Sequence, residues 1–136
     1  MVNSFKDLLV WQKSMNFVEA IYRLIKILPK NEIYVLSDQL KRAAISIPSN
    51  IAEGSGRNST KEYIQFLYVA LGSACEVETQ IIIAQRIGYI KNIENYIQEI
   101  NEIKKMLNGL ISSLKRTQLC INYTIQLTTL PLIPIH

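Results

Sequence analysis

Four stretches of this chain repeat apolar residues at steps of three and four, and each is separated from the next by a proline, a pair of glycines or a short polar run. This is the period of an α-helix with one buried face, and strands, which alternate at period two, do not produce it. In the first stretch, roughly Phe5 to Leu28, the stripe is Trp11, Met15, Val18, Tyr22 and Ile25, widened by Leu8, Ile21 and Leu28. Lys13, Glu19, Arg23 and Lys26 fall off it. Pro29 stops the helix and pushes Leu28 toward extended backbone. The second stretch, from Asn31–Glu32 to Glu53, carries Leu36, Leu40, Ala43, Ile47 and Ile51. Pro48 lies inside it, removes a backbone donor and crowds the Ala44 carbonyl, so a kink is expected. Gly54 is expected to close this helix, with Gly56 keeping the turn flexible.

The third stretch has the clearest start. Ser59-Thr60-Lys61-Glu62 is a capping box, with Ser59 as the cap and Glu62 reaching back. Its stripe is Tyr63, Ile64, Leu67, Leu71, Ala74, Cys75, Ile81 and Ile82, and Gly88 ends it. Asn92 caps the fourth, whose stripe is Ile93, Ile97, Ile100, Ile103, Leu107, Ile111 and Leu114. Lys115 and Arg116 at its end suit the helix dipole. Four long amphipathic helices with short connections make an all-α, antiparallel up-and-down four-helix bundle over residues 1–116. Residues 117–136 form a separate apolar extension without Asp, Glu, Lys or Arg. Pro131 and Pro134 bar a terminal helix there. Docking on a neighbouring subunit, brief continuation of the fourth helix and disorder are all open to this segment. Brief continuation followed by extended chain is the preferred reading.

Composition narrows the function classes. At 136 residues and 49% hydrophobic the chain has the size and apolar content of one cored domain. Five Gly and four Pro are too few for a loop-rich β protein. His136 is the single histidine, so a metal would have to be held by carboxylates alone. Cys75 reads as a small buried hydrophobe, and with Cys120 it makes no disulfide framework. No cofactor is expected. The charged N-terminal residues do not read as a signal peptide, no stretch reads as long and apolar enough to span a bilayer, and the expected location is the cytoplasm. The net charge of +4 mildly favours anionic partners.

The most unusual segment is Ser46 to Arg57. Ser46, Asn50, Glu53 and Arg57 follow at steps of four, three and four, and Gly72, Glu76 and Thr79 share a stripe of the third helix. Gly72, Ser73 and Ala74 remove bulk, so another backbone is expected to approach there. Two readings compete. Asn50, Glu53, Arg57 and Glu76 make a functional site, or Ser46, Asn50, Glu53, Arg57 and Glu76 make a structural polar network that fixes helix register. The structural reading is preferred, because nothing indicates a cleft, a nucleophile or a metal. Gly54-Ser55-Gly56-Arg57 lacks the Lys-Ser/Thr ending and the preceding strand of a phosphate loop. Basic residues are spread along the chain. The candidate nucleic-acid contacts are Lys13, Arg23, Lys26, Lys41, Arg42 and Arg57, which repeated by symmetry would form a basic ring. Tyrosines such as Tyr22, Tyr34 and Tyr68 could stack on bases, although aromatics at helical spacing are more often core or interface.

The run from Leu40 to Gly54 (LKRAAISIPSNIAEG), then Arg57, then Ala70 to Gln80 (ALGSACEVETQ), resembles a family of bacterial four-helix-bundle proteins. These include the proteins encoded in intervening sequences of 23S ribosomal RNA genes. Phe5, Leu8, Trp11 and Gly88-Tyr89 fit as well, and the likeness covers roughly residues 5 to 115. The resemblance implies an antiparallel bundle, ring-like homopentamers and no enzymatic activity. The similar accessory proteins of diversity-generating retroelements imply a basic barrel that binds nucleic acid and a reverse transcriptase. The tail after Arg116 has no counterpart in it. Three expectations follow: a cytoplasmic homopentamer binding RNA or DNA; a protein-binding adaptor or scaffold with no nucleic-acid role; or, least favoured, a nuclease using Glu53 and Glu76.

Overall fold

A computed structural model describes residues 4–129. A 3-10 turn at Phe5–Asp7, capped by the Ser4 hydroxyl, leads into α1 (Leu9–Ile25). A second 3-10 turn at Lys30–Glu32 leads into α2 (Leu36–Ser55), followed by α3 (Thr60–Arg86) and α4 (Glu94–Thr129). No strand occurs among the described residues. Each helix packs on its chain neighbour and α4 closes back on α1, whereas α2 and α4 are not neighbours. The result is a square, antiparallel four-helix bundle. Pro131 and Pro134, and the extended end expected around them, lie outside the described residues.

The caps explain the helix boundaries. The Ser59 hydroxyl accepts from the Glu62 amide at 3.1 Å, so the start of α3 is as expected. The return contact differs from a full capping box, because the Glu62 carboxylate accepts from the Ser59 hydroxyl at 3.3 Å. Gly88, at φ +87°, carries the left-handed turn after α3, a conformation that costs glycine little.

The α1 stripe needs a correction. The fully turned-in residues are Val10, Ser14, Phe17, Ile21, Leu24 and Leu28, the same four-three rhythm set one residue earlier than Trp11, Met15, Val18, Tyr22 and Ile25. One residue is a rotation of about 100° around a helix. Trp11, Val18 and Ile25 pack only on the rim of the core, and Met15 and Tyr22 are 40% and 43% exposed. Ser14 hid the true stripe by interrupting it with a polar residue. It is accommodated because its hydroxyl donates to the Val10 carbonyl at 2.6 Å, leaving no unmet polar group.

The α2 stripe is as expected, with Leu36, Leu40, Ala43, Ile47 and Ile51 all buried, and the helix continues through Pro48 to Ser55. Gly54 does not close it. Gly54 is buried inside the last turn, and Gly56 forms the cap. On α3, Ile64, Leu67, Ala74 and Ile81 are buried as expected, but so are Ala70, Ser73, Val77, Gln80 and Ala84. The buried arc is wide because α3 packs on both α2 and α4. Cys75, expected to be buried, is exposed. By length and composition alone α3 is apolar enough to cross a membrane, contrary to the sequence expectation; in the bundle its wide buried arc faces α2 and α4.

Ile93, just before α4, and Ile100, Ile103, Leu107 and Ile111 on it line the core, with Ile97 and Leu114 half-buried against it. The helix does not stop at Arg116. It runs on to Thr129, so Lys115 and Arg116 lie within it. From Leu119 to Thr129 every side chain is exposed. Thr124, Thr128 and Thr129 satisfy their hydroxyls on the preceding turn of the same helix.

Candidate nucleic-acid interface

The segment around Pro48 resolves into separate parts. The Ser46 and Ser73 hydroxyls meet at 2.8 Å across the α2–α3 seam. The Asn50 amide donates to the Ser46 carbonyl at 2.7 Å and to its hydroxyl at 2.9 Å. This half-buried knot fixes the α2–α3 register at one point. Gly54 fixes it at another, since a Cβ there would lie 2.7 Å from the Phe66 Cβ and 2.9 Å from the Tyr63 ring. The close approach expected at Gly72 is therefore found at Gly54, and nothing lies within 4 Å of a Cβ built on Gly72.

Glu53 and Glu76 do not join the knot. Glu53 is exposed and pairs with Arg57 at 2.8 Å, one turn away on the same helix. Glu76 is also exposed, and the Gln80 amide donates to it at 3.3 Å. Among the described residues, no three of His, Cys, Asp and Glu are grouped to hold a metal ion.

The six basic candidates divide by what each already touches. Lys13 bridges to Glu102 across α1 and α4 at 2.5 Å. Arg42 pairs with Asp38 at 2.7 Å, which raises its pKa further, chiefly through that hydrogen bond. Arg57, besides pairing with Glu53, lies 4.8 Å from the centre of the Phe66 ring. Lys104, not among the six, pairs with Glu78. Arg23, Lys26 and Lys41 stand outside the four ion pairs found among the described residues. Arg23 lines a cleft of about 270 Å³ between α1 and α4, facing Glu99 and Glu102. Lys41 sits over the exposed Tyr22 ring, 5.9 Å from its centre. Lys26, which caps the C-terminal end of α1, is one turn beyond Tyr22, within the spacing at which helical side chains meet. Tyr34, in the connection between α1 and α2, is 89% exposed.

Lys41 over Tyr22, with Lys26 one turn further on, thus places two cations outside the ion pairs near one exposed ring; Tyr34 is exposed in the connection that follows. The sequence reading assigned Tyr22 to the core, so it missed this pairing; the signal was the alternative stripe through Phe17. Two other long-range contacts carried no sequence signal. Tyr89 donates to Glu32 at 2.8 Å, tying the α3–α4 connection to the α1–α2 connection. Lys115 reaches the Tyr68 hydroxyl at 2.7 Å and lies over its ring.

Fold and register define the class: an antiparallel four-helix bundle keyed by a Ser46–Asn50–Ser73 knot and a buried Gly54, with the basic and aromatic cluster at one end. The chain belongs to the 23S rRNA-intervening sequence protein family, which it matches over residues 6–109. It is similar to a crystal structure of a protein of unknown function from the S23 ribosomal protein family of Bacteroides thetaiotaomicron. The two are 32% identical with a TM-score of 0.71, over 76% of this chain and 98% of that one. A comparison with curated proteins gives no match.

Proposed function

We propose that this chain is a non-enzymatic, homo-oligomeric binding module, assembled as a ring of five bundles in the cytoplasm, that takes RNA or DNA on the surface around Tyr22. The observation that carries this reading is the cluster itself. Tyr22 lies beneath Lys41 with Lys26 one turn away, and neither lysine is in an ion pair. Cations without protein partners can neutralise phosphates, and an exposed ring beside them can stack on a base. One bundle offers only two such lysines, too few for tight binding. Repetition around a ring multiplies them, which is why the oligomer is the proposed unit of function.

The test is binding of single-stranded and duplex RNA and DNA followed by fluorescence anisotropy across a salt series, alongside the mass in solution. The expected outcome is a multimer whose affinity falls linearly in log–log form with salt. A multimer with no affinity at low salt, or with affinity independent of salt, leaves the adaptor reading instead. That reading is favoured by one further observation, an exposed apolar groove formed by Trp11, Met15 and Val18 of α1 with Ile45, Pro48 and Ala52 of α2.

A further inference from the structure

Two unmatched apolar features sit on this chain, and each lacks what the other supplies. The first is a groove of about 360 Å³ on the outer face of α1 and α2, lined by Trp11, Met15 and Val18 from α1 and by Ile45, Pro48 and Ala52 from α2, with no charged residue on its walls. The second is the end of α4. Leu119, Ile121, Tyr123, Ile125 and Leu127 are 51–68% exposed, on a segment without a formal charge. The family match ends at residue 109, before this extension begins.

A helix with apolar residues on all sides is stable where something covers it. Leu119, Tyr123 and Leu127 follow at steps of four and form one stripe, about 12 Å long at the helical rise. The α1 wall of the groove, from Trp11 to Val18, is about 10 Å long by the same rise. Stripe and groove therefore match in length, in polarity and in absence of charge. The same molecule cannot join them. α4 contacts α1 and α3 but not α2, and it continues as one unbroken helix to Thr129. Lys115 opposite Tyr68 places Thr60, the first residue of α3, near residue 123 of α4. The last turns of α4 thus project beyond the end of α3, away from their own groove.

We propose that the α4 extension of one copy docks in the α1–α2 groove of a second copy, with Leu119, Tyr123 and Leu127 entering between Trp11, Met15 and Ile45. This rests on the assembly reading above and gives it a contact. The extension acts as a tether that joins bundles, and the edge-to-face packing of Phe5 against Trp11, ring centres 5.3 Å apart, holds one wall of the groove in place.

The test uses the full chain. Tyr123→Glu/Leu127→Glu and Ile45→Glu alter exposed positions, so circular dichroism should be unchanged while light scattering reports a fall in mass toward the 15.6 kDa single chain. A second measurement does not depend on those variants. Copies carrying Cys75→Ala, and so only Cys120 on the extension, are mixed with copies carrying Cys75→Ala, Cys120→Ala and Ser49→Cys in the groove. A short bis-maleimide should link them, and should not link Cys120 to Lys91→Cys at the far end of the bundle. A wild-type multimer whose mass survives both glutamate variants, with no preference for the groove cysteine, overturns the docking and leaves the assembly reading standing. A wild-type monomer overturns both. Absent cross-linking together with Tyr123- and Leu127-dependent sedimentation on phosphatidylcholine vesicles assigns the extension to a lipid surface and also overturns it.

Discussion

Gly54 and Gly72 look alike in the sequence, each within a helix and each followed by a serine, yet their surroundings are opposite. At Gly54 an added methyl meets the Phe66 Cβ and the Tyr63 ring at under 3 Å, and Phe66 approaches with its Cβ rather than with a flexible end. Gly54→Ala is therefore expected to cost about 1–3 kcal/mol through forced separation of α2 and α3. Gly72→Ala meets open space in mid-helix and is expected to stabilise the bundle by about 0.5–1 kcal/mol, the usual gain of alanine over glycine. Urea unfolding of the two variants decides whether the register is keyed at Gly54. Equal changes of the same sign would remove that account. The hydroxyl contact between Ser46 and Ser73 is a second key, but a lighter one, because a neutral hydrogen bond contributes only about 0.5–1.5 kcal/mol net.

Among the elements, α1 separates what the sequence discloses from what it does not. The helical period is plain in all four stretches, and every stripe residue read in α2 and α4 lies in or against the core, because each carries one unbroken apolar stripe. In α1 two stripes of similar strength lie side by side, and the polar Ser14 in the true one tipped the choice. Burial is decided by what the neighbouring helices cover, which no local pattern contains. Phe17→Ala, at a fully buried position, is expected to cost about 3–5 kcal/mol, whereas Met15→Ala, half exposed, should cost under about 1 kcal/mol. Chemical unfolding curves check both, and similar values would restore the stripe first read. The Ser46–Asn50 spacing was legible, but its partner Ser73 was not, since that contact spans 27 residues. The same is true of the Tyr89–Glu32 link between the two connections. There the hydrogen bond to Glu32, then burial, then the carboxylate's charge raise the Tyr89 pKa above its ordinary value of 10.0. A group raised by folding contributes stability that is complete below its unfolded pKa and lost as pH climbs through the folded one. The bundle should therefore weaken as pH rises above about 10, and Tyr89→Phe should remove that part of the alkaline loss. Thermal melts between neutral and strongly alkaline pH measure it.

For the whole molecule, the question is which positive charges are available to a phosphate backbone. The formal charge of +4 gives no answer, because it does not distinguish cations already held by carboxylates. Lys13, Arg42 and Arg57 are held by Glu102, Asp38 and Glu53. Moving one of them to a phosphate exchanges one anionic partner for another and leaves a carboxylate behind to repel the ligand. Lys26 and Lys41 stand outside the ion pairs found among the described residues; Lys41 lies over the Tyr22 ring and Lys26 is one helical turn from it. Each phosphate neutralised on a duplex contributes about 0.9 to the slope of log affinity against log salt. Lys26→Ala and Lys41→Ala are therefore expected each to reduce that slope by about one per contact made, and to weaken binding similarly for every sequence tried. Lys13→Ala should leave the slope where it was. Tyr22→Ala should lower affinity for single strands by about 1–3 kcal/mol per stacked base while leaving the slope nearly unchanged, because stacking releases no counterions. Anisotropy titrations at four or five salt concentrations separate these effects. If Lys13→Ala and Lys41→Ala flatten the slope equally, the binding surface is not the Tyr22 cluster, and the basic residues act as a diffuse surface charge instead.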